Sequence, residues 1–260
     1  MSNRRAISLP LGLLLAACLS WSPRSRAATE PDVFALGVGM QRMPSWPGAK
    51  SQHSEPVPYL DIELPGHGSF STLDGLQVEL FRGDAWRGGI HGDYQWGRSR
   101  DDLGSLGGKI ASLSPRINLG GYLEWQLNRQ VDVGGSLSHD INGAGAYLEL
   151  YAEWDPPPLG LLEQSFELRW QAMNAPAMNR FFGVTPQAAR ALSIPAWQPG
   201  AGGQLASLEY ELFVPTSRRT GVALALVYGR LLGDAADSPL VARYGSRTQL
   251  SESLAFVYRL

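Results

Sequence analysis

The 260-residue sequence holds one cysteine, Cys18, and two lysines, Lys50 and Lys109. A lone thiol excludes an internal disulfide and a cysteine-based metal site, so neither can staple the fold. With so little lysine, arginine carries the positive charge, and its planar fork suits paired, half-buried networks. Charged residues make up only 18% of the chain, against about 25% in an ordinary soluble domain. Beyond the N-terminal segment there is no run of eighteen apolar residues, so no membrane-spanning helix is expected. The four histidines, His53, His67, His91 and His139, lack metal-ligand spacing. His139-Asp140 has the residue types of a catalytic dyad, but no Gly-x-Ser-x-Gly elbow accompanies it. Gly37-Val38-Gly39 sits within a strand-like segment and reads as close strand packing, not as a dinucleotide loop. No catalytic residue, cofactor or metal site is therefore expected, and the chain is read as non-enzymatic.

What is present begins with an export signal. Arg4 and Arg5 precede an apolar run from Ala6 to about Leu19, too short to span a bilayer. Ser25-Arg26-Ala27 offers small residues for cleavage, which predicts a signal segment over 1–27 and one domain over 28–260. Leu15-Ala16-Ala17-Cys18 reads alternatively as a lipidation site, and both outcomes stay open for Cys18. Removal of 1–27 takes away four arginines and no acid, shifting the formal charge from −2 to −6. That acidity disfavours nucleic acid as a partner.

The mature chain alternates in polarity with a period of two. In 86–97, Trp86, Ile90, Tyr94 and Trp96 oppose Arg87, His91, Asp93 and Gln95. In 116–128, Ile117, Leu119, Leu123, Trp125 and Leu127 oppose Arg116, Asn118, Glu124 and Gln126. A strand sends successive side chains to opposite faces, so each segment has one apolar and one polar side. Twelve strands are expected, over 33–40, 57–64, 67–73, 76–82, 85–97, 116–128, 131–138, 144–154, 161–173, 203–213, 220–232 and 249–260. Trp86, Trp96, Trp125, Trp154 and Trp170 lie on apolar faces, many near strand ends, as in an interfacial aromatic girdle. Connections 41–56, 98–115, 174–202 and 233–248 follow odd strands and are long; those after even strands are mostly short. That asymmetry predicts an all-β fold: a closed antiparallel transmembrane β-barrel of about twelve strands in the outer membrane, with both termini in the periplasm. Membrane lipid would surround it. Thr185-Pro186 and Ser238-Pro239 each place an N-cap residue before a first-position proline, predicting short helices in two long external loops.

Inward faces carry many carboxylates, Glu124, Glu149, Glu163 and Glu167 among them. A lumen network closed by Arg87, Arg116 and Arg169 is expected, because buried charges need partners. The terminal segment puts Leu254, Phe256, Tyr258 and Leu260 on one face, similar to the signal that barrel-insertion machinery reads.

The motif Phe181-Phe182-Gly183-Val184-Thr185-Pro186-Gln187-Ala188-Ala189-Arg190, with Ile194-Pro195-Ala196 after it, resembles the MltA-interacting protein (MipA/OmpV) family. So does the stretch Arg230 to Val241, which contains Gly233, Asp234, Asp237, Ser238 and Pro239. Pro58-Tyr59-Leu60-Asp61 fits the family's N-terminal pattern. The chain departs from that pattern at 51–53, Ser-Gln-His, where the family has an acidic, tyrosine-containing stretch, and at Leu260, where it usually has phenylalanine. The resemblance implies an outer-membrane scaffold that holds a lytic transglycosylase and a penicillin-binding protein together during peptidoglycan growth. Two other functions fit the same architecture: a small-solute pore with cation preference from inward glutamates, and a surface adhesin acting through loops 98–115 and 174–202.

Overall fold

The computed structural model describes residues 32–72 and 75–260; the export segment 1–27 and Cys18 lie outside the described residues. Twelve strands form in chain order: β1 (Val33–Pro44), β2 (Gln52–Leu64), β3 (Gly68–Ser71), β4 (Gly75–Arg82), β5 (Trp86–Gln95), β6 (Arg116–Asn128), β7 (Val131–Asp140), β8 (Ala146–Trp154), β9 (Glu163–Met173), β10 (Gly202–Pro215), β11 (Thr220–Leu231) and β12 (Thr248–Arg259). Each pairs antiparallel with its sequence neighbours, and β1 pairs with β12 to close the barrel. The expected architecture is borne out.

Tight turns join the strands at the end where β1 begins and β12 finishes, the periplasmic end of such a barrel. At Leu64-Pro65-Gly66-His67 the His67 amide donates to the Leu64 carbonyl at 2.9 Å, and Gly66 has a φ of 80°. Proline then glycine at the two central positions is the type II arrangement. Closure at β1 and β12 needs small residues. A Cβ on Gly37 would lie 2.1 Å from the Phe256 carbonyl oxygen. That confirms close packing as the role of Gly37.

Leu36, Val38, Ile90, Leu123, Leu150, Leu168 and Phe256 are exposed on the outer wall, where lipid replaces water. Trp86 stacks on Trp125 at 5.0 Å, and Trp154 on Phe166 at 5.4 Å, near the periplasmic rim. Tyr94 meets Trp96 edge-on at 4.9 Å near the other rim. From Trp86 to Tyr94 is about 26 Å of strand at ~3.3 Å per residue, or about 20 Å of membrane normal at ~40° tilt. The two aromatic levels thus bracket an apolar band of membrane thickness.

Strand ends differ from expectation most at β1 and β2, while β5 stops at Gln95 rather than 97 and β3 spans only Gly68–Ser71. β1 and β2 extend to a Pro44↔Gln52 pair, so their connection is 45–51 rather than 41–56. Pro58 lies inside β2, within the expected strand 57–64, and so does Pro56, which the expected boundaries left in the connection. Proline is tolerated in a strand whose N–H side has no neighbour.

The long connections fold rather than dangle. They contain α1 (Ala175–Phe182), α2 (Pro186–Leu192), α3 (Gly233–Asp237), α4 (Pro239–Tyr244) and a 3-10 turn at Gly104–Leu106. One apolar core joins Trp46, Leu103, Leu106, Met178, Phe182, Leu240 and Val241. These residues come from four loops spaced around the ring, so they can meet only over the mouth of the barrel. The largest buried apolar core among the described residues is therefore a cap and not the barrel interior.

Candidate functional site: an acidic lumen beneath a folded cap

The two family-like loop motifs build the cap. The Thr185 hydroxyl accepts from the Ala188 amide at 3.2 Å and Pro186 starts α2, as expected. Gly183 fits where a Cβ would lie 2.4 Å from the Asn179 carbonyl oxygen. Val184 and Trp197 exchange two backbone hydrogen bonds of 2.9 Å. Gly233 takes a φ of 45° at the start of α3. Asp234 accepts from the Gly200 amide at 2.7 Å, and Asp237 pairs with Arg247 at 2.8 Å.

Ser238 corrects an expectation. Pro239 does open α4, but the Ser238 side chain makes no cap bond to its own helix. Its hydroxyl, fully buried, donates to the Phe182 carbonyl at 2.7 Å. That oxygen is one of the last carbonyls of α1, which lack partners within the helix. Tertiary packing thus redirects the hydroxyl from a local amide to a buried orphan acceptor 56 residues away.

Arg98, which the sequence did not single out, does the same for the neighbouring carbonyl. Its guanidinium is buried and donates to the Phe181 carbonyl at 3.0 Å and the Ala111 carbonyl at 3.1 Å. A cation beside helical C-terminal carbonyls is favoured. Burial, reinforced by the nearby charge of Arg180, pushes Arg98 down to about 10, so it remains charged at neutral pH. Arg180 donates to Gln95 Oε1 at 2.9 Å and to the Ser114 carbonyl, and Tyr147 donates to the same Gln95 oxygen at 2.7 Å. These bonds fasten α1 to the wall.

Below the cap lies a cavity of about 1690 Å3. Thirteen carboxylates line it against three arginines, Arg87, Arg169 and Arg259. Arg87 contacts Glu124 at 2.5 Å, directly across the β5–β6 pair, and Tyr151 donates to the other Glu124 oxygen at 2.7 Å. Arg169 contacts Glu167 at 2.5 Å and lies 3.7 Å from Glu149 and 4.0 Å from Glu209. Glu153 and Glu209 both stand directly opposite Glu167 on its neighbouring strands. Like charges so placed repel, and Arg169 among them lowers that repulsion.

The expected network is thus partitioned. Glu124 and Arg87 form one cluster; Glu149, Glu167 and Arg169 form another. Arg116 pairs instead with Asp140, which is buried where β7 meets the cap. Glu163 joins neither cluster: it pairs at 2.7 Å with Arg259 near the periplasmic opening, and Arg259 also lies 3.9 Å over the Phe213 ring. Its position at the first residue of β9 puts it four residues from Glu167, about 13 Å along the strand at ~3.3 Å per residue. His139 and Asp140 face opposite sides of the wall, as adjacent strand residues must, so they form no dyad. Among the described residues no group of three or more histidine, cysteine or carboxylate side chains could hold a metal ion.

Several solved outer-membrane barrels have similar overall structures. The NanC porin aligns with a TM-score of 0.44 and 9% identity, covering 87% of this chain and 100% of that one. The CymD monoaromatic hydrocarbon channel aligns with a TM-score of 0.38 and 11% identity over 89% of each chain. OmpT of Vibrio cholerae aligns with a TM-score of 0.35 and 8% identity, covering 88% and 97%. No curated protein sequence matches the chain. The profile described as "MltA-interacting protein MipA" matches residues 36–260, from β1 through both cap motifs to the last residue, and the chain belongs to that family of outer-membrane β-barrel proteins.

Proposed function

We propose that this barrel is a non-catalytic interaction protein that tethers cell-wall enzymes to the outer membrane from its periplasmic end. The observation that carries the reading is the cap: a folded lid with its own apolar core, drawn from four loops, occupies the external mouth. Such a lid suits a membrane anchor better than a permanently open channel. The family description names an interaction with MltA, and the resemblance in sequence implies a lytic transglycosylase and a penicillin-binding protein as partners. At the periplasmic end, the turn from Asp155 to Leu162 carries three prolines, Pro156, Pro157 and Pro158, with Leu159 69% and Leu161 75% exposed. Apolar side chains on a proline-stiffened turn suit docking, because little conformational entropy is lost on binding.

The test is recovery of partners from solubilised envelopes with the refolded barrel as bait. Recovery of a lytic transglycosylase and a penicillin-binding protein, lost when turn 155–162 is replaced by glycine and serine, is the expected outcome. Recovery of insertion machinery alone overturns the reading and favours a pore. The acidic lumen gives that second reading its support, and steady cation-selective conductance in planar bilayers would establish it.

A further inference from the structure

The barrel wall is breached in its outer half. β3 is four residues long and pairs only with Asp61–Leu64, at the periplasmic end of β2. β4 pairs with β5 only as far as Gly92. Above that level, among the described residues, β2 from Gln52 to Pro58 is strand-paired on one side alone, with β1. The stretch with this open edge is about 23 Å long at ~3.3 Å per residue. The hairpin beneath holds β2 and β5 three strand spacings apart, about 14 Å. Loops 45–51 and 96–115 roof the gap through Trp46 and Leu103, which are fixed in the cap core.

An open strand edge inside a membrane leaves amide donors without partners, which is strongly unfavourable where no water can replace them. Two prolines and one turn contact reduce their number. The Thr72 amide donates to the Leu60 carbonyl, and the Leu60 amide donates to the Thr72 hydroxyl. The backbone groups of Leu60 therefore point to the β3 side, and so do those of Pro58, Pro56 and Ser54, because the pattern repeats every second residue. Pro58 and Pro56 have no N–H to leave unsatisfied. The same prolines disfavour addition of a partner strand to this edge. The breach is built to stay open to small molecules.

Its two rims differ in chemistry. The membrane-facing rim is apolar and aromatic, with Leu60, Phe70, Leu76, Tyr94 and Trp96 all exposed, and these residues also border the cavity. The lumen-facing rim carries Glu55 and Asp61 on β2 and Asp93 on β5, and it opens into the acidic cavity. We propose that the gap between β2 and β5 is a lateral window through which a cationic amphiphile inserts its charged head into the lumen while its hydrocarbon tail stays in the membrane. The window is independent of any tethering role.

The test uses the full-length protein in phosphatidylcholine vesicles, titrated calorimetrically with dodecyltrimethylammonium against empty vesicles. Saturable binding is expected, at least tenfold tighter than that of dodecylphosphocholine, which has the same tail and no net charge. Tetramethylammonium, which lacks the tail, is expected to bind at least tenfold more weakly too. The double variant Glu55→Gln/Asp93→Asn should weaken dodecyltrimethylammonium at least tenfold and leave the heat-dependent electrophoretic shift of the folded barrel intact. Equal binding of the tailless cation, equal binding of the uncharged amphiphile, or partitioning no greater than in empty vesicles would each overturn the proposal, whatever the folding of the variant.

Discussion

Truncating Phe182 to alanine isolates the cap from the barrel. Phe182 is fully buried, packed in the core that also holds Met178, Leu240 and Val241, and it lies in α1, outside every strand ladder. Removing a buried phenyl ring costs about 3–5 kcal/mol once the residual cavity is included. That loss falls on the cap alone, since the barrel hydrogen bonds run between strands that Phe182 does not join. Each 1.4 kcal/mol is tenfold, so the population of the opened cap should rise by about two to three and a half orders of magnitude. Hydrogen exchange read by mass spectrometry measures this directly. The amides of Val184, Trp197 and Gly245, all hydrogen-bonded within the cap, should lose protection by that factor. Amides of β6 and β7 should keep theirs. If cap amides in Phe182→Ala exchange as slowly as in the native protein, or if strand amides accelerate equally, the cap is not a separate cooperative unit and the argument fails.

Ser238→Ala removes the hydroxyl from the buried Phe182 carbonyl and leaves that acceptor unsatisfied, which costs about 1–3 kcal/mol. The same exchange experiment should show a smaller loss of cap protection than Phe182→Ala, with Ala242 still protected by its own helical bond. Gly37→Val places a side chain against the Phe256 carbonyl and should abolish barrel closure at β1 and β12, read as loss of the folded band in unheated electrophoresis. Arg87→Ala strands the Glu124 carboxylate, only 5% exposed; because the Arg87 side chain is itself 41% exposed and Tyr151 still donates to Glu124, the barrel should lose about 1–3 kcal/mol to denaturant. Arg87→Met combined with Glu124→Gln removes both charges, and recovery of most of that loss is expected in the same denaturant titration.

The sequence alone determined the barrel. Its period of two, its tryptophans on apolar faces and its alternation of short and long connections are local consequences of a sheet with lipid on one side. All twelve strands were legible for that reason, and so was the inward direction of Glu124, Glu149, Glu167, Arg87 and Arg169. Thr185 was legible as a helix cap because that bond spans three residues. Tertiary structure decided what depends on distant partners. It decided that Ser238 serves α1 and not its own helix, that Arg98 is buried in the cap, that Arg116 selects Asp140, and that Glu163 joins Arg259 at the periplasmic opening. It also decided the meaning of Pro56 and Pro58. In one dimension they are prolines at the start of an expected strand; only where the β3 ladder stops short does the missing N–H become the feature that suits β2 to an open edge on that side. Periodicity is written in adjacent residues, whereas cap packing and the window arise from contacts and absences between segments far apart in the chain.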